Sequence, residues 1–244
     1  MIKVEQNAYD YLSGRSINLP DFLHSIHIKN LCFDSREVSD DDAFVVLPSV
    51  AGNEASYIEK ALKQGAALVF CDDTNLCLSE KCVLIDDAME LGAELLNEFF
   101  NQPSQKLKTI GITGTNGKSS ISFYLAQMLT ELKASCAVMG TLGFGHWDDL
   151  SETGMTTLPL ERLHRSMAQM NNEFNAVAME VSSHGLDQNR LAGVYFEGAI
   201  FSNLSRDHLD YHGSMEAYGD AKAKLFERPN LNLAVINIDD EFGK

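Results

Sequence analysis

The stretch GITGTNGKSS, residues 111–120, follows a short apolar run and precedes a segment of helical composition. The strict Walker A pattern, G-x-x-x-x-G-K-[ST], fails here because Ile112 stands where the first glycine is required. Gly117, Lys118 and Ser119 complete the pattern, and Gly114 also lies in the loop. Glycines let backbone N–H groups turn toward phosphate oxygens, and the N-terminus of the following helix attracts the same anion. The stretch predicts a strand, a phosphate-binding loop and a helix, with ATP as the ligand.

Two side chains of this loop have expected roles in nucleotide binding. Lys118 is expected to reach the terminal phosphates, and the Ser119 hydroxyl is expected to hold Mg²⁺. The alternative is a glycine turn with a chance lysine, which the flanking strand and helix patterns disfavour. The candidate nucleotide-binding residues are Gly114, Thr115, Asn116, Gly117, Lys118, Ser119 and Ser120.

Strand and helix patterns alternate on both sides of the loop. Strand-like runs cover residues 107–113, 134–141, 174–182, 196–203 and 232–238, and helical patterns cover 118–132, 159–171 and 214–226. Such alternation predicts an α/β fold with a mostly parallel sheet and helices on its faces.

A smaller α/β unit is predicted before the loop. Strand-like runs at 43–48 and 66–70 flank an amphipathic helix, and a second helix is expected over 86–100. The polar stretch NQPSQK, which contains Pro103, then predicts a boundary. We therefore expect one domain at 1–105 and a second, incomplete one at 106–244.

Composition restricts the possible functions. The chain has 244 residues, 45% of them apolar, and a formal net charge of −16, which opposes nonspecific binding to nucleic acid or anionic lipid. Its five cysteines form no Cys-x-x-Cys pair, so neither a disulfide framework nor a zinc cluster is expected. Reduced thiols and the absence of a membrane-length apolar run indicate a cytoplasmic protein without membrane insertion.

Polar residues follow two of the later strands. Glu180 ends an apolar run, at the sheet edge where open α/β folds bind ligands, and a carboxylate there can coordinate Mg²⁺. An ordinary solvated strand end is the alternative. The next strand-like run leads into NLSRDHLDYHG, residues 203–213. A lone histidine is a weak signal, but the position of His208 after a strand favours a functional role.

The helical pattern after this loop turns one lysine inward. Met215, Tyr218, Lys222 and Leu225 share one face, whereas Lys224 points elsewhere. An inward lysine is either a snorkelling side chain or an amine whose neutral form is favoured and open to modification. Spacing alone leaves both alternatives open.

Three segments together resemble the Mur ligases: GITGTNGKSS, MEVSSHGLDQNR (179–190) and NLSRDHLDYHGSMEAYGDAKAKLF (203–226). The resemblance is strongest to the type (MurE) that adds the third peptide residue to UDP-N-acetylmuramoyl-L-alanyl-D-glutamate. Residues 33–66 also resemble that family's uridine-nucleotide domain. The chain matches only the N-terminal half of such a three-domain enzyme.

The resemblance implies an ATP-dependent amide ligation of peptidoglycan precursor synthesis through an acyl phosphate. The amino acid added, meso-diaminopimelate or lysine, is left open. Two Mg²⁺ ions are implied, one bound by Ser119 and Glu180 and one by His208 with a carbamylated Lys222. Lys118, Glu180, His208 and Lys222 are the implied catalytic residues.

Substrate positions follow from the same resemblance. The implied contacts are Phe33 and Ser35 for uridine, Val50, Ala51 and Gly52 for the adjoining nucleotide-sugar, and Thr156, Thr157, Ser182, Gln188 and Arg190 for the muramoyl peptide. The alternatives are a folylpolyglutamate synthase-like ligase, a noncatalytic relative that binds UDP-sugar or nucleotide, and, more weakly, a switch GTPase.

Overall fold

The computed structural model describes residues 2–15, 20–48 and 52–244 and divides into two compact units, 1–95 and 96–244. Within the described residues, no helix is both long and apolar enough to cross a membrane. The domain boundary expected at residue 105 stays a prediction.

The first unit is a five-stranded sheet with helices. Its strands are β1 (Ile2–Asn7), β2 (His27–Cys32), β3 (Ala43–Val45), β4 (Leu68–Cys71) and β5 (Cys82–Leu84). Its helices are α1 (Ala8–Leu12), a 3-10 turn (Asp21–Ser25) and α2 (Glu54–Lys63), and α3 (Ala88–Phe99) contains the division between the units. The strand order is β1-β2-β3-β4-β5, antiparallel between β1 and β2 and parallel from β2 to β5.

The second unit has seven strands: β6 (Lys108–Thr113), β7 (Cys136–Gly140), β8 (Gly143–His146), β9 (Asp149–Ser151), β10 (Ala176–Glu180), β11 (Gly198–Phe201) and β12 (Leu233–Ile236). Its helices are α4 (Pro103–Lys106), α5 (Lys118–Glu131), α6 (Leu160–Met170), α7 (Ser183–Asp187), α8 (Leu209–His212), α9 (Met215–Ala223) and a 3-10 turn (Glu241–Gly243). The strand order is β12-β11-β6-β10-β7-β8-β9, parallel from β12 to β7 with an antiparallel hairpin at the other edge. The predicted α/β class with a mostly parallel sheet is confirmed.

The central strand β10 is buried on both faces. Val177 and Met179 belong to one core cluster, whereas Ala176 and Ala178 belong to another. Successive side chains of a strand point to opposite faces, so this division means that apolar layers cover both sides of the sheet. The parallel registers align Glu180 with Ile112 and Met179 with Met139, which brings the carboxyl ends of β6, β7 and β10 to one edge.

All five cysteines are free thiols. Three of them, Cys71, Cys77 and Cys82, nevertheless lie together in the first unit, with their sulfur atoms within 4.8 Å of one another. The three cysteines meet because the loop between β4 and β5 folds back and brings together residues that are six and five positions apart along the chain.

Candidate functional site

The loop between β6 and α5 packs tightly against the segment that follows β11. Gly114 has φ +145°, and a Cβ atom there would lie 1.9 Å from the Ser202 hydroxyl, so only glycine fits. The N–H groups of Thr115 and Asn116 donate to Asn203, to its carbonyl oxygen at 2.8 Å and its Oδ1 at 3.1 Å. Asn203 therefore fixes the conformation of this loop, and α5 begins directly after the loop, at Lys118.

Lys118 folds back over this loop. Its Nζ donates to the carbonyl oxygens of Gly114, at 2.8 Å, and Thr115, at 2.9 Å. Burial lowers the pKa of Lys118, while the charge of Glu180 opposes that change. The ammonium thus lies at the N-terminus of α5, where a helix dipole already favours an anion.

Glu180 is a buried carboxylate, with 2% of its surface exposed. Its oxygens accept hydrogen bonds from the Thr141 N–H at 3.2 Å and the Thr141 hydroxyl at 3.3 Å, and both donors are neutral. A Cβ atom at Gly140 would lie 2.2 Å from the Glu180 Oε1, so glycine at the end of β7 makes room for the carboxylate. The alternative of a solvated strand end is therefore wrong.

A cavity of about 270 Å³ joins these groups. It is lined by Thr115, Asn116, Gly117, Lys118, Ser119, Ser120, Thr141, Thr156 and Glu180. Backbone donors at a helix N-terminus, a lysine, two serines and a buried carboxylate thus share one polar cleft, a donor set that suits a phosphate together with a hard cation.

Lys222 approaches the same loop from α9. Its side chain is 1% exposed, its Nζ donates to the Gly114 carbonyl oxygen at 3.0 Å, and it lies 4.3 Å from the ring centroid of Tyr218. Burial, reinforced by the charge of Lys118, lowers the pKa of Lys222 to about 7, although Asp207 opposes the change. The predicted inward orientation is confirmed, and burial favours the neutral form of the amine.

His208 belongs to an aromatic cluster beside Lys222. It has φ +51°, and its ring packs edge-on against His184, with centroids 4.9 Å apart, and against Tyr218, at 5.9 Å. His212 completes the cluster and exchanges a hydrogen bond with the Ser183 hydroxyl at 2.9 Å. Burial lowers the pKa of both His184 and His212, and neighbouring imidazoles add to this effect. Tyr218 thus contacts both His208 and Lys222.

The five residues expected to bind the peptide form a connected polar network. The Thr157 hydroxyl accepts hydrogen bonds from the Ser182 N–H and hydroxyl, each at 3.0 Å, and donates to the Glu180 carbonyl oxygen at 3.3 Å. The remaining bonds run from Arg190 to the Thr157 carbonyl oxygen (3.0 Å) and Gln188 Oε1 (2.5 and 2.8 Å), and between Thr156 and Thr141 (2.9 Å).

The first unit has a separate cavity of about 490 Å³. It is lined by Phe33, Asp34, Ser35, Arg36, Phe44, Leu47, Ser56, Tyr57 and Lys60, so it includes two of the residues expected at the uridine end. Arg36 forms a bidentate ion pair with Asp34, and its hydrogen bonds lower the pKa of that carboxyl. Val50 and Ala51 lie outside the described residues, and Gly52 is exposed with φ +62°.

Comparison with known proteins identifies the family. The sequence profile of the Mur ligase middle domain matches residues 112–244, which is more than half of the chain. The chain belongs to the Mur ligase family. Its relatives include UDP-N-acetylmuramoyl-L-alanyl-D-glutamate--2,6-diaminopimelate ligases from Ectopseudomonas mendocina, at 44% identity, and Xanthomonas oryzae, at 41%. Both alignments cover 93% of this chain and 47% of the relative, so the chain spans about half the length of these Mur ligases.

Solved structures agree with this assignment. A structure of UDP-N-acetylmuramoyl-L-alanyl-D-glutamate--2,6-diaminopimelate ligase superposes with a TM-score of 0.78 at 32% identity, over 99% of this chain and 48% of that one. MurF from Acinetobacter baumannii superposes with a TM-score of 0.58 at 18% identity over 100% of this chain and 51% of its own, which shows a shared fold.

Sequence reasoning missed several residues of this Mur ligase cleft. Gly140 and Thr141 hold the Glu180 carboxylate, Asn203 holds the glycine loop, and Tyr218 joins His208 to Lys222. The one available signal was position, because Gly140, Thr141 and Asn203 stand at the ends of predicted strands, at the sheet edge where ligands bind.

Proposed function

We propose that the chain is the first half of an ATP-dependent ligase that joins 2,6-diaminopimelate to UDP-N-acetylmuramoyl-L-alanyl-D-glutamate. In this reaction a substrate carboxylate oxygen attacks the γ-phosphorus of ATP and ADP leaves. The amine then attacks the acyl carbon, phosphate leaves, and the new amide nitrogen loses a proton. The observation that carries the proposal is the cleft that Lys118 and Glu180 line beside the glycine loop, which Lys222 contacts from α9. The chain is also 44% identical to a relative with that name.

The nucleotide is proposed to bind along residues 114–120. The N-terminus of α5 offers N–H donors, and Lys118 offers an amine that bonds the carbonyl oxygens of Gly114 and Thr115 in its own loop. Exchanging those carbonyls for phosphate oxygens would replace neutral acceptors by charged ones, which form stronger hydrogen bonds.

One Mg²⁺ ion is proposed to bind Ser119 and Glu180. Both residues line the same cavity, and the Glu180 carboxylate is buried with only neutral donors, a site that a hard cation would complete. When bound, Mg²⁺ would neutralise charge between the substrate carboxylate and the triphosphate.

A carbamylated Lys222, together with His208, is proposed as the second metal site. Carbamylation requires a neutral amine: its lone pair attacks the carbon of CO₂, and a nitrogen-bound proton is released. Lys222 fits this requirement because its pKa is lowered to about 7. The product is a carboxylate-like group, and its negative charge would also remove the repulsion between Lys222 and Lys118.

Two groups of residues are proposed to bind the substrate. Phe33 and Ser35, with the segment Val50–Gly52, would bind the uridine and adjoining sugar. Thr156, Thr157, Ser182, Gln188 and Arg190 would bind the anionic peptide, and their hydroxyl, amide and guanidinium groups match its chemistry. The reaction is assigned to the cytoplasm, and the negative net charge argues against nucleic acid as a partner.

The test is a chimeric enzyme in which this chain replaces the matching half of the Ectopseudomonas mendocina ligase. We expect formation of ADP that requires the UDP-muramoyl-dipeptide and diaminopimelate together. Loss of that activity in Lys222→Met but not in Lys224→Met would support the lysine assignment. A folded chimera that consumes no ATP with any amino acid would refute the ligase proposal.

A further inference from the structure

Three cysteines of the first unit meet around the connection between β4 and β5. Cys71 is the last residue of β4, Cys82 is the first of β5, and Cys77 lies in the loop that joins them. Their sulfur atoms all lie within 4.8 Å of one another. In the chain's other described regions, His, Cys, Asp and Glu side chains form no comparable group of three.

Backbone hydrogen bonds hold the loop in this shape. The N–H of Cys77 donates to the Asp73 carbonyl oxygen at 3.2 Å, and the N–H of Cys82 donates to the Ser79 carbonyl oxygen at 2.9 Å. The Asp73 side chain also accepts from the Asn75 N–H at 2.8 Å. The three thiols are therefore brought together by an ordered loop before any ligand binds.

The cluster sits at the edge of an apolar core. Cys71 is buried, Cys77 and Cys82 are partly exposed, and Val69, Leu62 and Leu76 belong to the same packed cluster. A ligand can therefore enter from the side of Cys77 and Cys82 and reach Cys71 within the core. The surrounding apolar side chains would exclude water from a bound ion.

We propose that Cys71, Cys77 and Cys82 form a binding site for a thiophilic metal ion, best matched by Cu(I). The donor set consists of sulfur alone, which selects soft ions over Mg²⁺ or Ca²⁺. Zinc sites are almost always four-coordinate, whereas this group supplies three ligands. This assignment is independent of the proposed ligase function.

Binding exchanges thiol protons for metal–sulfur bonds. Burial, together with the neighbouring Cys77 and Cys82, raises the pKa of Cys71 to about 12, and burial also raises the pKa of Cys82. Each thiol that enters the site as a thiolate releases a proton. The apparent affinity should consequently increase with pH.

The experiment is an anaerobic competition titration of the full chain with Cu(I) presented as its bicinchoninate complex. We expect one equivalent to transfer with high affinity, more tightly at pH 8 than at pH 6. Cys71→Ser, Cys77→Ser and Cys82→Ser should each weaken binding by more than roughly 100-fold, since loss of even an outer partner of a metal ligand costs 10- to 100-fold.

Cys32→Ser is the matched control, because Cys32 is buried in the same core cluster but lies outside the thiol group. It should bind Cu(I) as the unchanged chain does. Melting curves of every metal-free variant check folding, and Ala variants at the same positions separate loss of a ligand from misfolding. If all three Ser variants bind Cu(I) as tightly as the unchanged chain does, the proposed site is wrong. If the chain binds Zn²⁺ more tightly than Cu(I), the choice of metal is wrong.

Discussion

Replacing Lys222 by methionine is expected to stabilise the second unit near neutral pH. The pKa of Lys222 is lowered from 10.5 to about 7, chiefly by burial, so the folded state disfavours the ammonium. Since one pKa unit corresponds to ~1.4 kcal/mol, this costs the folded state ~4 kcal/mol at pH 7. Methionine also removes the hydrogen bond to Gly114, worth ~1 kcal/mol, so Lys222→Met should raise the free energy of unfolding by ~3 kcal/mol at pH 7.

The gain should fall as the pH rises. Between pH 7 and pH 10.5 the unfolded chain keeps the Lys222 proton that the folded chain has lost, so the unchanged protein becomes more stable with rising pH. The advantage of Lys222→Met should therefore shrink by ~2 kcal/mol between pH 7 and pH 9. Above the pKa of an unfolded lysine, both states are neutral and the cost disappears.

Urea denaturation in bicarbonate-free buffer measures this difference. The chain has a single tryptophan, Trp147, so its fluorescence reports the unfolding of the second unit. Lys224→Met is the control, because the Lys224 side chain is 45% exposed and pairs with Asp187 at 2.9 Å. It should change stability by less than ~1 kcal/mol without a pH trend. The free energies of unfolding of Lys222→Met and of the unchanged chain are compared at each pH. If their difference stays constant from pH 7 to pH 9, Lys222 is charged in the folded state and the reasoning is refuted.

Two further predictions concern buried carboxylates. Gly140→Ala places a Cβ atom 2.2 Å from the Glu180 Oε1 and should lower the free energy of unfolding by ~1–3 kcal/mol, measured by Trp147 fluorescence. Gly198→Ala is the control, because the nearest atom to its added Cβ would be 3.5 Å away, and it should destabilise the chain less. Equal losses in the two variants would contradict the packing argument. Asp42→Ala removes the fully buried acceptor of the Asn30 amide and of a backbone N–H, and calorimetry should show the first unit destabilised by ~3 kcal/mol. Asp42→Asn, which keeps one acceptor oxygen, should destabilise the first unit less. An Asp42→Ala variant as stable as the unchanged chain would contradict this role.

Sequence patterns predicted most of the parallel sheet, because buried strands such as β7 and β10 are continuous apolar runs between helical patterns. They did not predict β8 and β9. That hairpin contains Gly143, Gly145 and paired aspartates, which have low strand propensity, and its register depends on pairing with β7. Tertiary contacts, rather than local preference, form this edge of the sheet.

The parts of the candidate site that lie in one local stretch of sequence could be predicted. The glycine loop and Lys222 each stand in a local pattern, and in the structure the Lys222 Nζ donates a hydrogen bond to that loop. The pairing of Gly140 with Glu180 depends on two neighbouring strands that are distant in sequence. The meeting of Cys71, Cys77 and Cys82 depends on the path of a loop, and their spacing matches no short metal motif.

Calorimetric titration of the chain with UDP-N-acetylmuramoyl-L-alanyl-D-glutamate tests the proposed substrate by its binding alone. We expect saturable binding of one molecule per chain, and no binding of a folate under the same conditions. Trp147 fluorescence of the same preparation should show cooperative unfolding, which demonstrates that the sample is folded. Binding of the folate, or no binding of the UDP-muramoyl-dipeptide to a chain that is demonstrably folded, would contradict the proposed substrate.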